Sequence, residues 1–193
     1  MNYMKTLTDH LLLAGEIAVM PTDTVYGVVA RAVDPEAVAR LYQLKRRENK
    51  PGTLIAASVE QLVQLGIERQ YVTQVQRFWP GPVSIIIPCG PRLEYIHQGK
   101  ASLAVRIPSD KAVIAVLEKT GPLVTSSANQ PGEPPATTVA EAIAYFGNDV
   151  TWYEDGGVVN GEPSTVVRVE DGAIVVIRQG AGKILSAPPA DTV

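Results

Sequence analysis

With 193 residues, 46% hydrophobic and 19% charged, the chain has the composition of one soluble globular domain with a sizeable core. A net charge of −3 argues against a generally basic nucleic-acid-binding surface and leaves room for a local basic groove. One cysteine and two histidines exclude an internal disulfide, CxxC redox chemistry, and zinc sites built on cysteine or clustered histidine.

Residues 4–15 place Leu7, Leu11 and Leu12 at helical spacing, with Gly15 as a C-terminal cap. The apolar run 17–20 predicts a buried strand. It leads into Pro21-Thr22-Asp23-Thr24-Val25-Tyr26-Gly27, where the hydroxyls of Thr22, Thr24 and Tyr26 gather at a strand end. A bare turn needs only the proline and glycine, so the hydroxyls suit a small polar ligand; they equally suit an edge strand. Asp34-Pro35-Glu36 marks a helix start, with Asp as N-cap, Pro in the first turn and Glu facing the dipole. That helix ends in a run carrying Lys45, Arg46, Arg47 and Lys50.

Residues 53–57 predict a short buried strand, and Ser58-Val59-Glu60-Gln61 a capping box opening a helix. A further helix is expected over 71–79, stopped by Pro80-Gly81-Pro82. Strands over 83–88 and 102–107 are joined by a polar connection. Ser109 is expected to cap a helix that ends at Gly121. The strand Leu123-Val124-Thr125 runs into Ser126-Ser127-Ala128-Asn129, and a Pro-rich loop over 130–137 follows. Thr138 opens a capping box whose helix ends at Gly147. Strands over 166–169 and 173–177 meet across Asp171-Gly172, a hairpin signal. Residues 1–185 read as a single domain, with 186–193 a loose tail. Alternating short strands and helices, closed by a hairpin, predict an α/β fold: a twisted, open sheet of mixed direction with helices.

The chemistry sits at a few points. Four cations within six residues exceed what a helix end needs and suit a polyanion, since arginine grips phosphate through two donors. Thr125, Ser127 and Asn129 leave the end of a buried strand, where ligands of open α/β sheets bind. Arg106 lies in an apolar strand, and a buried guanidinium requires an anionic partner from the protein or a ligand. Arg178 ends another apolar strand and raises the same question. There is no P-loop, GxGxxG, HExxH or nucleophile elbow. Hydroxyls and cations without candidate bases fit a reaction run by positioning and charge neutralisation around phosphates.

Pro21 to Gly27, Lys45-x-Arg47 with Lys50-Pro51, Trp79-Pro80-Gly81-Pro82-Val83-Ser84, Ser102-x-x-x-Arg106, Ser126-Ser127-Ala128-Asn129, Pro163-Ser164-Thr165-Val166-Val167 and Arg178-Gln179-Gly180 occur in one order. Together they resemble the YrdC/TsaC family of L-threonylcarbamoyladenylate synthases, over about residues 17–180. The resemblance implies a YrdC-like sheet around a concave, basic groove. It also implies that L-threonine, bicarbonate (or CO2) and ATP, with Mg2+, give threonylcarbamoyl-AMP and pyrophosphate. The product would pass to a threonylcarbamoyl transferase complex that modifies tRNA adenosine, with contact to tRNA or double-stranded RNA as a further implication.

By position, Thr24, Arg106, Thr125 and Ser164 would hold threonine and its carboxylated form. Arg47, Lys50, Ser102, Ser127 and Arg178 would hold ATP, supported by Lys45 and Asn129, with Lys45, Arg47 and Arg106 as the catalytic set. The segment between Arg47 and Lys50 is one residue shorter than the family pattern, which leaves Arg46 an alternative to Arg47. Gly52-Thr53 also replaces a more apolar continuation. The chain ends soon after Gly180 and so resembles the single-domain form. A carbamoyl-adenylate former and a non-catalytic RNA-binding module are the alternatives. No run of apolar residues reaches the length of a membrane span and no signal-peptide pattern opens the chain, so a cytoplasmic location is expected.

Overall fold

The computed structural model describes residues 6–170 and 173–184. The chain order is α1 (Leu7–Leu11), β1 (Ile17–Met20), β2 (Gly27–Arg31), α2 (Pro35–Leu44), β3 (Thr53–Ile55), α3 (Val59–Leu65), α4 (Arg69–Val75), β4 (Val83–Pro88), α5 (Glu94–His97), β5 (Ser102–Arg106), α6 (Lys111–Thr120), β6 (Leu123–Ser127), α7 (Val139–Phe146), β7 (Thr165–Glu170) and β8 (Ala173–Arg178). The eight strands form one sheet in the order β1-β2-β6-β3-β5-β4-β7-β8. Only β3·β5 and β4·β7 are parallel, so the sheet is mixed and open, as the sequence predicts. The Asp171-Gly172 turn and the 186–193 tail lie outside the described residues, but β7 and β8 pair antiparallel.

Local chemistry explains most element ends. Asp34 accepts from the N–H groups of Glu36 and Ala37, and its other oxygen takes the Gly15 N–H at 2.8 Å, which ties the first turn of α2 to the turn before β1. Ser58 and Thr138 cap α3 and α7 by accepting from Gln61 and Glu141 N–H. The Gln61 and Glu141 side chains close instead on the N–H groups of Ala57 and Thr137, one residue before each cap. Four expectations shift. Leu12, not Gly15, is the C-cap of α1. The helix over 71–79 is α4, beginning at Arg69, followed by a 3-10 turn over Gln76–Phe78. The connection 89–101 contains a 3-10 turn and α5, too short to show a period. Asp110, not Ser109, caps α6: its carboxylate accepts from Ala112 and Val113 N–H, while the Ser109 hydroxyl and N–H both turn to Asp23.

The sheet's two faces are used differently, and this positions the site. One face is almost wholly apolar, with Ser126 and Thr165 as buried exceptions: Val19, Val28, Leu54, Ile85, Val105 and Val124 pack beneath α2, α3, α4, α5 and α7. Each such fully buried aliphatic side chain contributes about 1.5–3 kcal/mol. On the other face, α1 and α6 cover only Ala18, Met20, Val29, Ile55 and Leu123. The rest of that face, Gly27, Thr53, Ala104, Ile86, Thr125 and Val166, floors an open cavity of about 290 Å³. Helices therefore bury one face and half of the other, leaving a groove paved with small residues. The β1 edge is covered by a returning segment, in which Val19 N–H donates to Trp152 O and Glu154 N–H to Val19 O, both at 2.9 Å.

Candidate functional site

Three segments cross the rim of the groove. The first is the turn 21–26. Thr22 Oγ accepts from Thr24 and Val25 N–H and donates its single proton to Val25 O at 2.7 Å. The Thr22 and Thr24 hydroxyls lie 3.0 Å apart, and either can be the donor, so Thr24 sits at the rim with hydrogen-bonding capacity for a ligand. Tyr26, expected among the ligand-facing hydroxyls, is fully buried. It donates to Gly157 O and accepts from Gly156 N–H, each at 2.9 Å, and so anchors a strap over 155–163. Gly161 of that strap lies so close that a Cβ there would sit 1.9 Å from Thr24 O, and glycine is required.

Arg106, at the end of β5, is 3% exposed and ion-paired through Nη1 with Asp23, whose side chain is 6% exposed. Its partner is thus a protein carboxylate. Arg106 Nε, however, has no hydrogen-bond partner while the residue lines the cavity. Ser164, one strap residue further on, meets the buried Ser84 hydroxyl at 2.9 Å, and its carbonyl accepts from Arg178 Nη2 at 2.8 Å.

The second segment is the turn after α2. Arg46 takes a left-handed conformation, with φ of 47°, and is exposed outside the cavity, whereas Arg47 lines it. Arg47 Nη1 donates to Lys50 O and Pro51 O at 3.1 Å. Burial lowers the Arg47 pKa, Tyr42 opposes this, and the neighbouring Arg178 lowers it further, while burial lowers that of Arg178. Two guanidinium groups held near each other suit an anion between them.

Lys45 is 5% exposed and turns inward. Its three ammonium protons meet three oxygens: Ser127 O at 2.8 Å, Asn129 Oδ1 at 2.9 Å and Asn129 O. Burial first, and the nearby Arg47 second, bring its pKa down to about 8. Ser127 Oγ donates to Asn129 Oδ1 at 2.7 Å, and Asn129 Nδ2 to Glu133 O at 2.6 Å. Lys45 and Asn129 thus hold the third rim segment, the 127–129 turn, in shape.

The structure brings Thr24, Arg47, Arg106, Thr125, Ser127, Ser164 and Arg178 into one cavity lining. Lys45, Lys50, Ser102 and Asn129 are outside that lining: Lys50 N–H donates to Gln98 Oε1, and Ser102 Oγ to Lys100 O. Sequence reasoning missed Asp23 as the partner of Arg106, although it stood inside the motif. It also missed Thr53 and Gln98, whose amide accepts from Lys50 N–H and donates to Arg47 O at 3.2 Å. Among the described residues the lining carries three guanidinium groups and no carboxylate. Among the described residues no group of three or more His, Cys, Asp or Glu side chains is placed to hold a metal ion. A resident Mg2+ does not fit this donor set. No described helix is long and apolar enough to cross a membrane.

Comparisons with known proteins bear on the fold and the family. The Sua5_yciO_yrdC family model, described as "Telomere recombination", matches residues 10–180. A threonylcarbamoyl-AMP synthase of Chromohalobacter salexigens is 36% identical over 169 residues, covering 83% of this chain and 90% of the relative. A putative threonylcarbamoyl-AMP synthase of Mycobacterium tuberculosis is 33% identical over 173 residues, covering 86% of this chain and 79% of the relative. The structure of P. abyssi Sua5 complexed with L-threonine superposes with a TM-score of 0.77 at 32% identity. That match covers 86% of this chain and 51% of the other, so this chain spans about half of that protein. Since the family match runs from α1 past the end of β8 and takes in every residue of the cavity lining, the chain belongs to the Sua5/YciO/YrdC family.

Proposed function

We propose that the chain makes L-threonylcarbamoyl-AMP from L-threonine, bicarbonate or CO2, and ATP, releasing pyrophosphate. The observation that carries this reading is the unpartnered, buried Nε of Arg106 in a cavity whose lining holds Arg47 and Arg178 and no carboxylate. Such a site accepts one small anion deep inside and a larger polyanion nearer the rim. A relative of 32% identity solved with L-threonine supports the amino acid as the small anion.

In this reading the threonine carboxylate takes Arg106 Nε, and Thr24 accepts a hydrogen bond from the amine. The amine adds to CO2, forming an N–C bond and releasing one proton to solvent. A carbamate oxygen then attacks the α-phosphorus of ATP. The new O–P bond forms as the Pα–O bond to the β-phosphate breaks, and pyrophosphate departs with its Mg2+. Once the amine has lost its proton, no protein base is needed, and the lining contains no histidine. Arg47 and Arg178 offset the repulsion between carbamate and triphosphate, each charge-assisted hydrogen bond contributing about 1.5–3 kcal/mol. Lys45 acts through the turn it holds. The product is a mixed anhydride prone to hydrolysis, which calls for direct hand-over to a transferase acting on tRNA.

Pyrophosphate release is measured with MgATP while threonine and bicarbonate are each supplied or withheld. Release that needs both, with an adduct of the mass of threonylcarbamoyl-AMP, supports the reading. Release with carbamoyl phosphate and no threonine replaces it by carbamoyl-adenylate formation. No release with any combination removes it.

A further inference from the structure

A second hollow, of about 500 Å³, opens where α1, α6 and the strap meet, and it is larger than the groove. Leu7 of α1, Met20 at the end of β1, Val113 and Val116 of α6, and Val159 of the strap give it an apolar lining. Leu7, Met20 and Val113 are buried, but Val116 and Val159 stay half-buried, which leaves apolar surface to be covered. Thr22 borders both cavities, so the 21–26 turn is the wall between them.

The two cavities carry opposite charge. Among the described residues the hollow is lined by Asp110, Glu154 and Asp155 and by no lysine, arginine or histidine, the reverse of the groove. One oxygen of each carboxylate serves the fold. Asp110 Oδ1 accepts from Ala112 and Val113 N–H at 2.8 and 2.9 Å, Glu154 Oε2 from Trp152 Nε1 at 3.0 Å, and Asp155 Oδ1 from Gly157 N–H at 2.9 Å. No ion pair among the described residues neutralises any of the three. Like charges around an apolar hollow repel one another, and a cationic occupant relieves that repulsion.

The three carboxylates come from two elements, the start of α6 and the head of the strap, and they are not placed to hold one metal ion. The charge to be met is spread around an apolar centre. A chain segment with cations on both sides of aliphatic side chains matches it, and a point charge does not.

We propose that this hollow docks a segment of a partner protein in which aliphatic side chains are flanked by lysine or arginine. The aliphatic groups cover Val113, Val116 and Val159, and the cations meet the outer oxygens of Asp110, Glu154 and Asp155. The partner is thereby held one turn of chain away from the groove without entering it. The apolar centre sets how long it stays, and the charged rim sets how fast and in which orientation it arrives.

The test titrates the whole chain at low salt, followed by amide NMR, with three end-blocked peptides: Arg-Leu-Leu-Lys, Glu-Leu-Leu-Glu and Arg-Ser-Ser-Lys. The first should move the signals of Leu7, Val113, Val116 and Val159 with a Kd of roughly 0.1–1 mM, and the other two should bind about tenfold more weakly or worse. Two variants, each checked by thermal unfolding, locate the binding. Ala112→Trp fills the hollow from the exposed side of α6, and Glu154→Gln with Asp155→Asn removes charge while keeping an acceptor oxygen at each position. Each should weaken the first peptide about tenfold, and added salt should weaken it far less in the charge-depleted variant than in wild type. Equal binding of the three peptides, no movement of those signals, or unchanged affinity in both variants overturns the proposal. Movement of the same signals on raising the protein concentration without peptide assigns this face to a second copy of the chain and overturns it as well.

Discussion

Asp23 divides its two carboxylate oxygens between Arg106 and the backbone of Ser109: Oδ1 takes the guanidinium, and Oδ2 accepts the Ser109 N–H at 3.1 Å. The turn between β1 and β2 is thereby fastened to the end of β5, although 83 residues separate Asp23 from Arg106. Asp23→Asn retains the shape and removes the charge, leaving a buried guanidinium uncompensated. The expected loss is about 3–5 kcal/mol of stability, read from urea unfolding. Stability equal to wild type would mean that the pair contributes nothing.

Arg106→Lys keeps a positive charge but lacks the fork that serves Asp23 and the cavity at once. Its threonine-dependent kcat/KM should fall by roughly 10- to 100-fold, with the KM for threonine rising more than that for ATP. Equal kinetics would remove Arg106 from the substrate site.

Arg46 and Arg47 are adjacent in sequence and opposite in placement. Arg47→Ala should raise the ATP concentration needed for half-maximal pyrophosphate release about tenfold or more, while Arg46→Ala should leave it near the wild-type value. Equal effects from the two would mean that the turn rearranges around the nucleotide.

Lys45, at a pKa of about 8, should lose its third proton as pH rises through that value, releasing one of its three oxygens. Activity should fall over that range, and Lys45→Arg should move the alkaline limb upward. Stability moves the opposite way. Between about 8 and the ordinary value of 10.5 the unfolded chain binds more protons than the folded one, so the fold gains stability as pH rises. Parallel activity and thermal-unfolding profiles separate the two; a common decline would count against Lys45.

Gly161→Ala would set a methyl 1.9 Å from Thr24 O, a backbone atom that no rotamer change can move away. The strap must lift from the threonine turn, and turnover should drop by roughly a hundredfold because the reacting groups lose their alignment. The unfolding midpoint should change little, since the strap is largely exposed. A large drop in that midpoint with normal turnover would reverse the assignment.

What was legible in the sequence was local or chemical. Asp34-Pro35 and Thr138 announce helices because capping is decided within a turn. Arg106, Arg178 and the serine-rich 125–129 stretch stood out because a cation or a row of hydroxyls beside an apolar strand requires a partner. The illegible part is long-range. Nothing near residue 123 says that β6 inserts between β2 and β3, and only that insertion sets Thr125 against Thr53. Ser109 and Asp110 both had cap chemistry; the choice fell to Asp23, far away in the chain. Lys45 looked like one more exposed cation in its run, yet it sits where α2 ends over the 127–129 turn and points inward.

The strand order also governs when the site can come into being. Its lining draws on Thr24 before β2 and on Arg178 at the end of β8, and β2 and β3 are joined only through the late-synthesised β6. A chain emerging from the ribosome owns the 21–26 turn and the arginine-bearing turn after α2 long before it owns the cavity between them. Ligand capture in this cavity thus becomes a property that only a correctly threaded molecule can display.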